Sequence, residues 1–102
     1  MAFKGAVALS DRDNVATCLE AIETGAKVEV RRGDEINQVK TLEKIPFGFK
    51  IAITDIARGS HIVKYGQSIG IASSDIEKGN LVHIHNLEGT RGRGDLVKGV
   101  AK

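Results

Sequence analysis

The sequence between Phe49 and Asn86 contains one pattern twice, and this repeat constrains the fold more than any other feature. Asp55-Ile56-Ala57-Arg58-Gly59 is followed twenty residues later by Asp75-Ile76-Glu77-Lys78-Gly79. Alternating apolar and polar residues precede and follow each copy. A fainter third copy, Ile22-x-x-Gly25-x-x-Val28, has the same spacing. Alternation is typical of half-buried strands, so the repeats predict a unit of strand, tight turn and strand that is used three times.

The Asp, the Ile and the Gly of each copy have expected structural roles. We expect the Asp to cap a single helical turn, the Ile to fix that turn to the core, and the Gly to end it with a positive φ. The alternative is coincidence, because Gly and Asp are common in turns of any protein. Five matched residue classes in two copies favour a true repeat and a compact β domain.

Composition limits the class of protein but does not reveal its function. A length of 102 residues predicts one domain with a modest core. No apolar run is long enough to span a membrane, and the first residues lack the apolar stretch of a signal peptide. Together with the single Cys18, these features predict a cytoplasmic, reducing location. A net charge of +2 and an aromatic content of 4% argue against nucleic acid as a partner.

The N-terminal quarter predicts a strand and then a helix. Residues from Ala6 to Leu9 form the expected first strand. Ser10 or Asp11 offers a helix cap, and a short helix ending at Gly25 is predicted, with Cys18 on its buried side. The apolar residues at helical spacing are Val15, Ala16, Leu19 and Ile22.

The rest of the chain predicts strands and a tail. Residues 27–31 and 36–42 are expected to pair as a hairpin around Gly33, with Val39 facing the core. Ile45-Pro46-Phe47-Gly48 should break the second of these strands, because proline donates no ladder hydrogen bond. We therefore predict a mainly β fold with one short helix near the N-terminus, a domain over residues 1–87, and a flexible, Gly/Arg-rich tail over residues 88–102.

The most pointed candidate for chemistry is Val82-His83-Ile84-His85-Asn86. In a strand, side chains two residues apart share a face, so His83 and His85 would present two imidazoles that can occupy two positions around a metal ion. A catalytic metal site normally needs a third protein ligand, and no residue at fixed spacing supplies one. The alternative is a pair of polar residues on a solvated strand face.

Two further segments offer binding groups. Lys64-Tyr65-Gly66 combines a sharp turn with a cation and a hydroxyl, which suit a carboxylate or a polyol; the alternative is an ordinary surface turn. Arg91 and Arg93 could contact an anion or an RNA backbone, and the alternative there is a solvated tail.

Five blocks of sequence together carry a resemblance to a known family. The blocks are Asp13-Asn14-Val15-Ala16-Thr17, Asp55-Ile56-x-x-Gly59, Asp75-Ile76-x-x-Gly79, Lys64-Tyr65-Gly66-Gln67-x-Ile69-Gly70 and Val82-His83-x-His85-Asn86. From about Ala6 to Arg93 the sequence resembles the SAF domain of the altronate/galactarate dehydratase family. The related small subunit of sulfolactate sulfo-lyase shares this layout.

The resemblance implies a fold, an activity and a partner. The fold would be a β-clip, a curled sheet rich in hairpins and folded over on itself. The activity would be that of a lyase that removes water from a sugar acid such as altronate or galactarate, often with Fe²⁺ or Mn²⁺. In the family this domain is fused ahead of a large catalytic region or forms a separate small subunit. Because this chain stops at Lys102, we expect its large catalytic subunit to be a separate polypeptide.

The resemblance also implies roles for particular residues. His83 and His85 would be metal ligands or proton-transfer groups, Lys64 and Tyr65 would hold the substrate, and Asn86 would assist them. Family members commonly have Gly-His-Lys at the entry to the first repeat, but this chain has Gly48-Phe49-Lys50. An apolar ring therefore replaces a further imidazole.

The alternative to a lyase subunit is a stand-alone carbohydrate-binding or chaperone-like SAF module without catalysis. Self-association through an exposed strand edge is a further open alternative.

Overall fold

The computed structural model describes residues 4–89, which fold into two antiparallel-rich sheets. The strands are β1 (Lys4–Ala8), β2 (Val15–Cys18), β3 (Lys27–Arg32), β4 (Glu35–Lys40), β5 (Lys50–Ala52), β6 (His61–Lys64), β7 (Gln67–Ala72), β8 (Leu81–Val82) and β9 (Leu87–Glu88). The large sheet has the order β4-β3-β1-β2-β5-β8, and the small sheet has the order β6-β7-β9. Among these nine strands of residues 4–89, only β1 and β3 pair in parallel.

The predicted N-terminal helix is wrong, because the described residues are all β and contain no helix. Val15–Cys18 form β2, which lies between β1 and β5. A strand covered on both faces reads as a continuous apolar run, and such a run cannot be told from a helix segment by periodicity. Leu19, which the helical pattern assigned to the core, is 55% exposed. Within residues 4–89 the structure accordingly has no helix able to cross a membrane.

Cys18 is buried as predicted, but on a strand rather than on a helix. Its side chain is fully enclosed in the core of the large sheet. Burial in apolar surroundings disfavours the thiolate and raises the pKa of Cys18 to about 11. The thiol is therefore a packing group, and it is not activated for nucleophilic chemistry.

The repeat occurs four times rather than three. Every copy has the spacing Ile-x-x-Gly-x-x-Ile/Val, and the copy that sequence reasoning missed is Ile45-Pro46-Phe47-Gly48-Phe49-Lys50-Ile51. All four glycines have positive φ, between 83° and 98°, and the first and last residues of all four copies are buried. Ile and Gly thus have the roles that the sequence predicted, in four copies rather than three.

The four copies pair as two twofold-like units. Ile22 and Ile45 exchange backbone hydrogen bonds of 2.8 and 2.9 Å, and Ile56 and Ile76 exchange two of 2.8 Å. In each unit the glycine N–H donates to the segment that leads into the partner copy. In the first unit Gly25 N–H reaches the carbonyl of Thr41 at 3.0 Å, and Gly48 N–H reaches that of Cys18 at 2.9 Å. In the second unit Gly59 N–H reaches the carbonyl of Ala72 at 2.9 Å, and Gly79 N–H reaches that of Ala52 at 2.8 Å. Each turn is therefore completed by its partner, which explains why the copies come in pairs.

The expectation that each aspartate of the repeat caps its own turn is wrong. Asp55 Oδ1 accepts from the N–H of Lys78, and Asp75 Oδ1 accepts from the N–H of Arg58, both at 2.9 Å. Each carboxylate thus satisfies a backbone donor of the other copy. One of these bonds joins residues that are 17 positions apart in the sequence, and the other joins residues that are 23 apart. Together they close the Ile56–Ile76 unit from both sides.

Two apolar clusters fill the part of the chain that the structure describes. The first covers one face of the large sheet and includes Ala16, Cys18 and Ile51. The second lies between the sheets: Val15, Ala52 and Val82 come from the large sheet, and their partners are Ile56, Ile62, Ala72 and Ile76. Side chains alternate between faces along a strand, so Thr17 and Lys50 share the face of the second cluster.

The predicted tail, residues 88–102, lies almost wholly outside the described residues. Its first residue, Glu88, belongs to β9, which pairs with β7. Arg91 and Arg93 are outside the described residues, and their predicted anion contacts stay predictions.

Candidate functional site

The turn that joins β6 to β7 carries two of the predicted site residues. Its central residues, Tyr65 and Gly66, have φ of 54° and 82°, as a two-residue hairpin turn of the primed type requires. Tyr65 is the one non-glycine residue of the described chain with positive φ. This conformation costs a residue with a side chain about 1–2 kcal/mol, so the surrounding structure must hold the tyrosine there.

Asp13 provides one of the contacts that hold this turn. It is 5% exposed; Oδ1 accepts from Gly66 N–H at 2.7 Å, and Oδ2 accepts from the N–H groups of Leu9 and Ser10 at 2.9 and 3.0 Å. Burial of the carboxyl opposes ionisation, but the backbone donors outweigh it, and the pKa of Asp13 is lowered. A carboxylate that is charged at neutral pH therefore ties the loop before β2 to the tip of the β6–β7 hairpin.

Asn14 fixes the same hairpin one residue later. Its side-chain oxygen accepts from Val63 N–H at 2.8 Å, and its amide donates to the carbonyl of His61 at 3.0 Å. The backbone N–H of Asn14 also donates to the carbonyl of Val63 at 3.1 Å. Asp13-Asn14 thus places β6 against the large sheet in a defined register.

The result is a cluster of donor groups beside the second apolar cluster. Thr17 and Lys50 are direct cross-strand partners in β2 and β5. Tyr65 Oη donates to Thr17 Oγ1 at 3.3 Å, and Lys64 Nζ lies 5.1 Å from the centroid of the Tyr65 ring, within range of a cation–π contact. Two ammonium groups and two hydroxyls therefore meet at this end of the second cluster.

The electrostatics of this cluster favour an anion. The pKa of Lys50 is lowered, first by burial and then by the nearby positive charge of Lys64. Among residues 4–89 no carboxylate forms an ion pair with either lysine. An anionic group bound between them would relieve their mutual repulsion, because an opposite charge stabilises both ammonium forms.

The segment from His83 to Asn86 is a turn, so its predicted strand is wrong. β8 ends at Val82. Asn86 Oδ1 accepts from His83 N–H at 2.9 Å, while Asn86 N–H donates to the carbonyl of His83 at 3.0 Å. Asx-type bonds of this kind compete with a strand ladder, and here they bend the chain immediately after β8.

The turn gives the two histidines different surroundings. His83 is half-buried, and its ring centroid lies 4.4 Å from that of Phe49. His85 is exposed. Phe49, which stands where the sequence resemblance implies a histidine, thus lies directly beside His83.

Asn86 is 7% exposed and already has partners for both ends of its amide. Its nitrogen donates to the carbonyl of Leu81 at 2.8 Å, and its oxygen accepts from His83 N–H. It shapes the turn that carries the histidines. Its predicted role in holding the substrate stays a prediction.

The donors for a metal ion are few in the described chain. Within residues 4–89 no group of three or more His, Cys, Asp and Glu side chains is arranged to hold a metal ion. His83 and His85 therefore do not form a full coordination set with other described residues. Any complete site would need ligands from outside this part of the chain.

Sequence reasoning singled out Lys64 and Tyr65, whose role in binding the substrate stays a prediction, but it did not identify their neighbours. Thr17 and Lys50 join them only through the pairing of β2 with β5 and the fold of the hairpin over it. The lone signal was the position of Asp13 and Asn14 ahead of β2, since these residues are typical of turns and local caps.

Comparison with known proteins extends these findings. Residues 4–90 match the family described as the altronate/galactarate dehydratase SAF domain. The altronate dehydratase of Escherichia coli (strain K12) is 44% identical over 75 residues, which are 72% of this chain but 14% of that enzyme. The galactarate dehydratase (L-threo-forming) of the same organism is 33% identical over 76 residues, or 74% of this chain and 14% of that enzyme.

A shorter relative is covered far more completely. The (2R)-sulfolactate sulfo-lyase subunit alpha of Chromohalobacter salexigens is 33% identical over 75 residues, which are 72% of this chain and 80% of that subunit. The chain thus spans about a seventh of the two dehydratases it matches and most of this lyase subunit. It belongs to the altronate/galactarate dehydratase SAF domain family.

Proposed function

We propose that this chain is the small SAF-domain subunit of a dehydratase-type lyase, inactive alone, that works with a separate large catalytic subunit on a sugar acid of the altronate or galactarate type. The observation that carries the proposal is the pattern of coverage. The chain corresponds to 14% of E. coli altronate dehydratase but to 80% of a protein named as a lyase subunit.

The cluster of Lys50, Lys64, Tyr65 and Thr17 supports an acidic substrate. Dehydration of a hydroxy acid starts with removal of the proton next to the carboxylate, and negative charge then develops on the carboxylate oxygens. Fixed cations and hydroxyl donors aimed at those oxygens lower the barrier, because they need no rearrangement as the charge develops. In this proposal the two lysines bind the carboxylate, and Tyr65 orients a neighbouring hydroxyl.

The histidines belong to the same proposal as contributors from this subunit. His83 and His85 would provide part of the ligand set for Fe²⁺ or Mn²⁺, or would transfer protons, and the large subunit would supply the remaining ligands. A bound divalent ion would act as a Lewis acid toward the departing hydroxyl. Phe49 keeps His83 in place through their ring contact of 4.4 Å.

Exposed apolar side chains near His83 and Phe49 support a protein partner. Leu19, Phe47 and Ile84 are 55%, 68% and 81% exposed. They are close in the fold, because Gly48 N–H donates to the carbonyl of Cys18 at 2.9 Å and Phe49 contacts His83. Exposed apolar surface of this kind often marks an interface.

The first test is co-purification from native extract with this chain as bait, followed by sugar-acid dehydration assays on the retained material. We expect a large partner, and activity only in the complex. Removal of divalent metal by a chelator should abolish the activity, and added Fe²⁺ or Mn²⁺ should restore it.

Variants of the complex then test the proposed residues. Lys50→Met and Lys64→Met should each lower kcat/KM by about 10- to 100-fold, since a charge-assisted contact contributes about 1.5–3 kcal/mol. Lys44→Met, at an exposed position outside the cluster, should leave kcat/KM unchanged.

Two outcomes would contradict the proposal. A large partner whose activity is indifferent to this chain would remove the subunit role. Calorimetry could instead show that the isolated chain binds sugar acids with full affinity, while no partner is ever retained. That result would indicate a stand-alone binding module.

A further inference from the structure

A pocket of about 170 Å³ lies on the face of the large sheet that carries the first apolar cluster. Its floor consists of Val30, Val39 and Ile53, which belong to the first apolar cluster or pack against it. Thr17 and Lys50 point to the opposite face. The pocket is therefore separate from the lysine cluster and plays no part in the proposed function.

Four polar residues also line this pocket. Arg32 and Lys78 supply two cations, and the amides of Asn37 and Gln38 add neutral donors. Among residues 4–89 no carboxylate lines the pocket. Two acids contact the cationic residues of the pocket. Glu35 Oε1 is 3.8 Å from an Arg32 nitrogen, and Asp55 accepts from the backbone N–H of Lys78. Neither neutralises the cationic side chains of the pocket at hydrogen-bond distance.

The guanidinium group of Arg32 has hydrogen-bond donors that are unused or only weakly used. Its Nε is buried without a hydrogen-bond partner, and its two outer nitrogens make only long contacts, 3.4 Å to the carbonyl of Ser10 and 3.8 Å to Glu35. Buried polar side-chain atoms nearly always have a partner. Guanidinium groups are matched geometrically by carboxylates, which accept two parallel hydrogen bonds.

We propose that this pocket binds a small organic carboxylate with a compact apolar body. The carboxylate would accept from the outer guanidinium nitrogens of Arg32, because Nε itself is buried, and from Lys78 Nζ. The apolar body would cover Val30, Val39 and Ile53. The volume is close to the roughly 150 Å³ cavity that accepts one benzene molecule. The pocket therefore fits a ligand of the size of benzoate, and its apolar floor sets it apart from a site for polyhydroxylated acids.

Benzoate and acetate are suitable probes, because they share the carboxylate and differ in the apolar body. We expect a ¹⁵N-edited NMR titration of the full chain with benzoate to shift the amides of β3, β4 and Lys78, together with the Nε–H signal of Arg32. Acetate should bind about tenfold more weakly or worse, since it leaves the floor uncovered.

Three variants complete the test. Arg32→Gln and Lys78→Gln should each weaken benzoate binding by about tenfold, and Lys44→Gln, an exposed charge outside the pocket, should have no effect. If Arg32→Gln fails to fold, Lys78→Gln alone decides, because the backbone bond of Lys78 to Asp55 is kept. Equal binding by the Lys78 and Lys44 variants, equal affinity for acetate and benzoate, or shifts confined to residues 64–66 would each overturn the proposal.

Discussion

Asp13 is the residue on which the geometry of the candidate site depends most. One buried carboxylate accepts from three backbone N–H groups, and two of them precede it while the third lies at the tip of the β6–β7 hairpin. Removing it would leave these donors without an acceptor in a place that water reaches poorly. Tyr65 would then lose an anchor for its left-handed conformation.

We therefore predict that Asp13→Asn destabilises the protein by about 2 kcal/mol at pH 7, since hydrogen bonds to a charged group contribute about 1.5–3 kcal/mol. The lowered pKa of Asp13 fixes the pH dependence. The stabilisation is complete above the unfolded value of about 3.9 and is lost as the pH falls through the lowered folded value. Urea unfolding at pH 7 and at pH 3 measures both effects.

Asp11→Asn is the matched control, because Asp11 is exposed and should change stability by less than about 0.5 kcal/mol. A constant difference between wild type and Asp13→Asn across this pH range would show that the charge of Asp13 does not contribute.

The residues of the site show how far residue types alone can lead. Lys64 and Tyr65 could be predicted, because a cation and a hydroxyl beside a glycine form a local pattern. Lys50 and Thr17 could not, because they are 33 positions apart in the sequence and meet only as cross-strand partners. His83 and His85 were predicted as a pair on a strand, but the bonds of Asn86 turn the chain there.

At the scale of elements, the paired turns determine the architecture. Each Ile-x-x-Gly turn is incomplete alone and is closed by backbone bonds from its partner. The four glycines have the same conformation, but their surroundings differ. A Cβ on Gly59 would have no neighbour within 4 Å, whereas a Cβ on Gly79 would lie 2.4 Å from the carbonyl oxygen of Lys40.

This difference gives a matched pair of variants. Gly59→Ala should cost about 1–2 kcal/mol, the price of a left-handed conformation for a residue with a Cβ. Gly79→Ala should cost at least about 1 kcal/mol more, because it adds an overpacked contact with backbone. Urea unfolding of the two variants under the same conditions measures the difference. Equal destabilisation would mean that the backbone around Lys40 moves aside freely.

At the scale of the whole molecule, the two sheets share one apolar cluster. Val15, Ala52 and Val82 of the large sheet pack with Ile62 and Ala72 of the small sheet, and Asn14 adds hydrogen bonds across the junction. Neither sheet can bury this surface alone. We therefore expect the described part of the chain to unfold in one cooperative step.

Asn14→Ala tests this coupling. It removes two hydrogen bonds and leaves Val63 N–H without its acceptor, so stability should fall by about 1–3 kcal/mol. Amide exchange should accelerate in both sheets and most strongly at Val63. Asn37→Ala, on the exposed edge strand β4, is the control and should have little effect. Acceleration confined to residues 61–72 would show that the small sheet opens independently.

The sequence by itself determined the β character, the hairpin around Gly33, the Ile and Gly roles in the repeat and the Lys-Tyr-Gly turn, because each depends on residues that are neighbours along the chain. The tertiary structure decided the rest. It made residues 15–18 a strand, since a run covered on both faces has no periodicity to read, and it directed each repeat aspartate to the other copy. It also joined Thr17 and Lys50 to Lys64 and Tyr65, because cross-strand partners are set by the register of the sheet and not by their spacing along the chain.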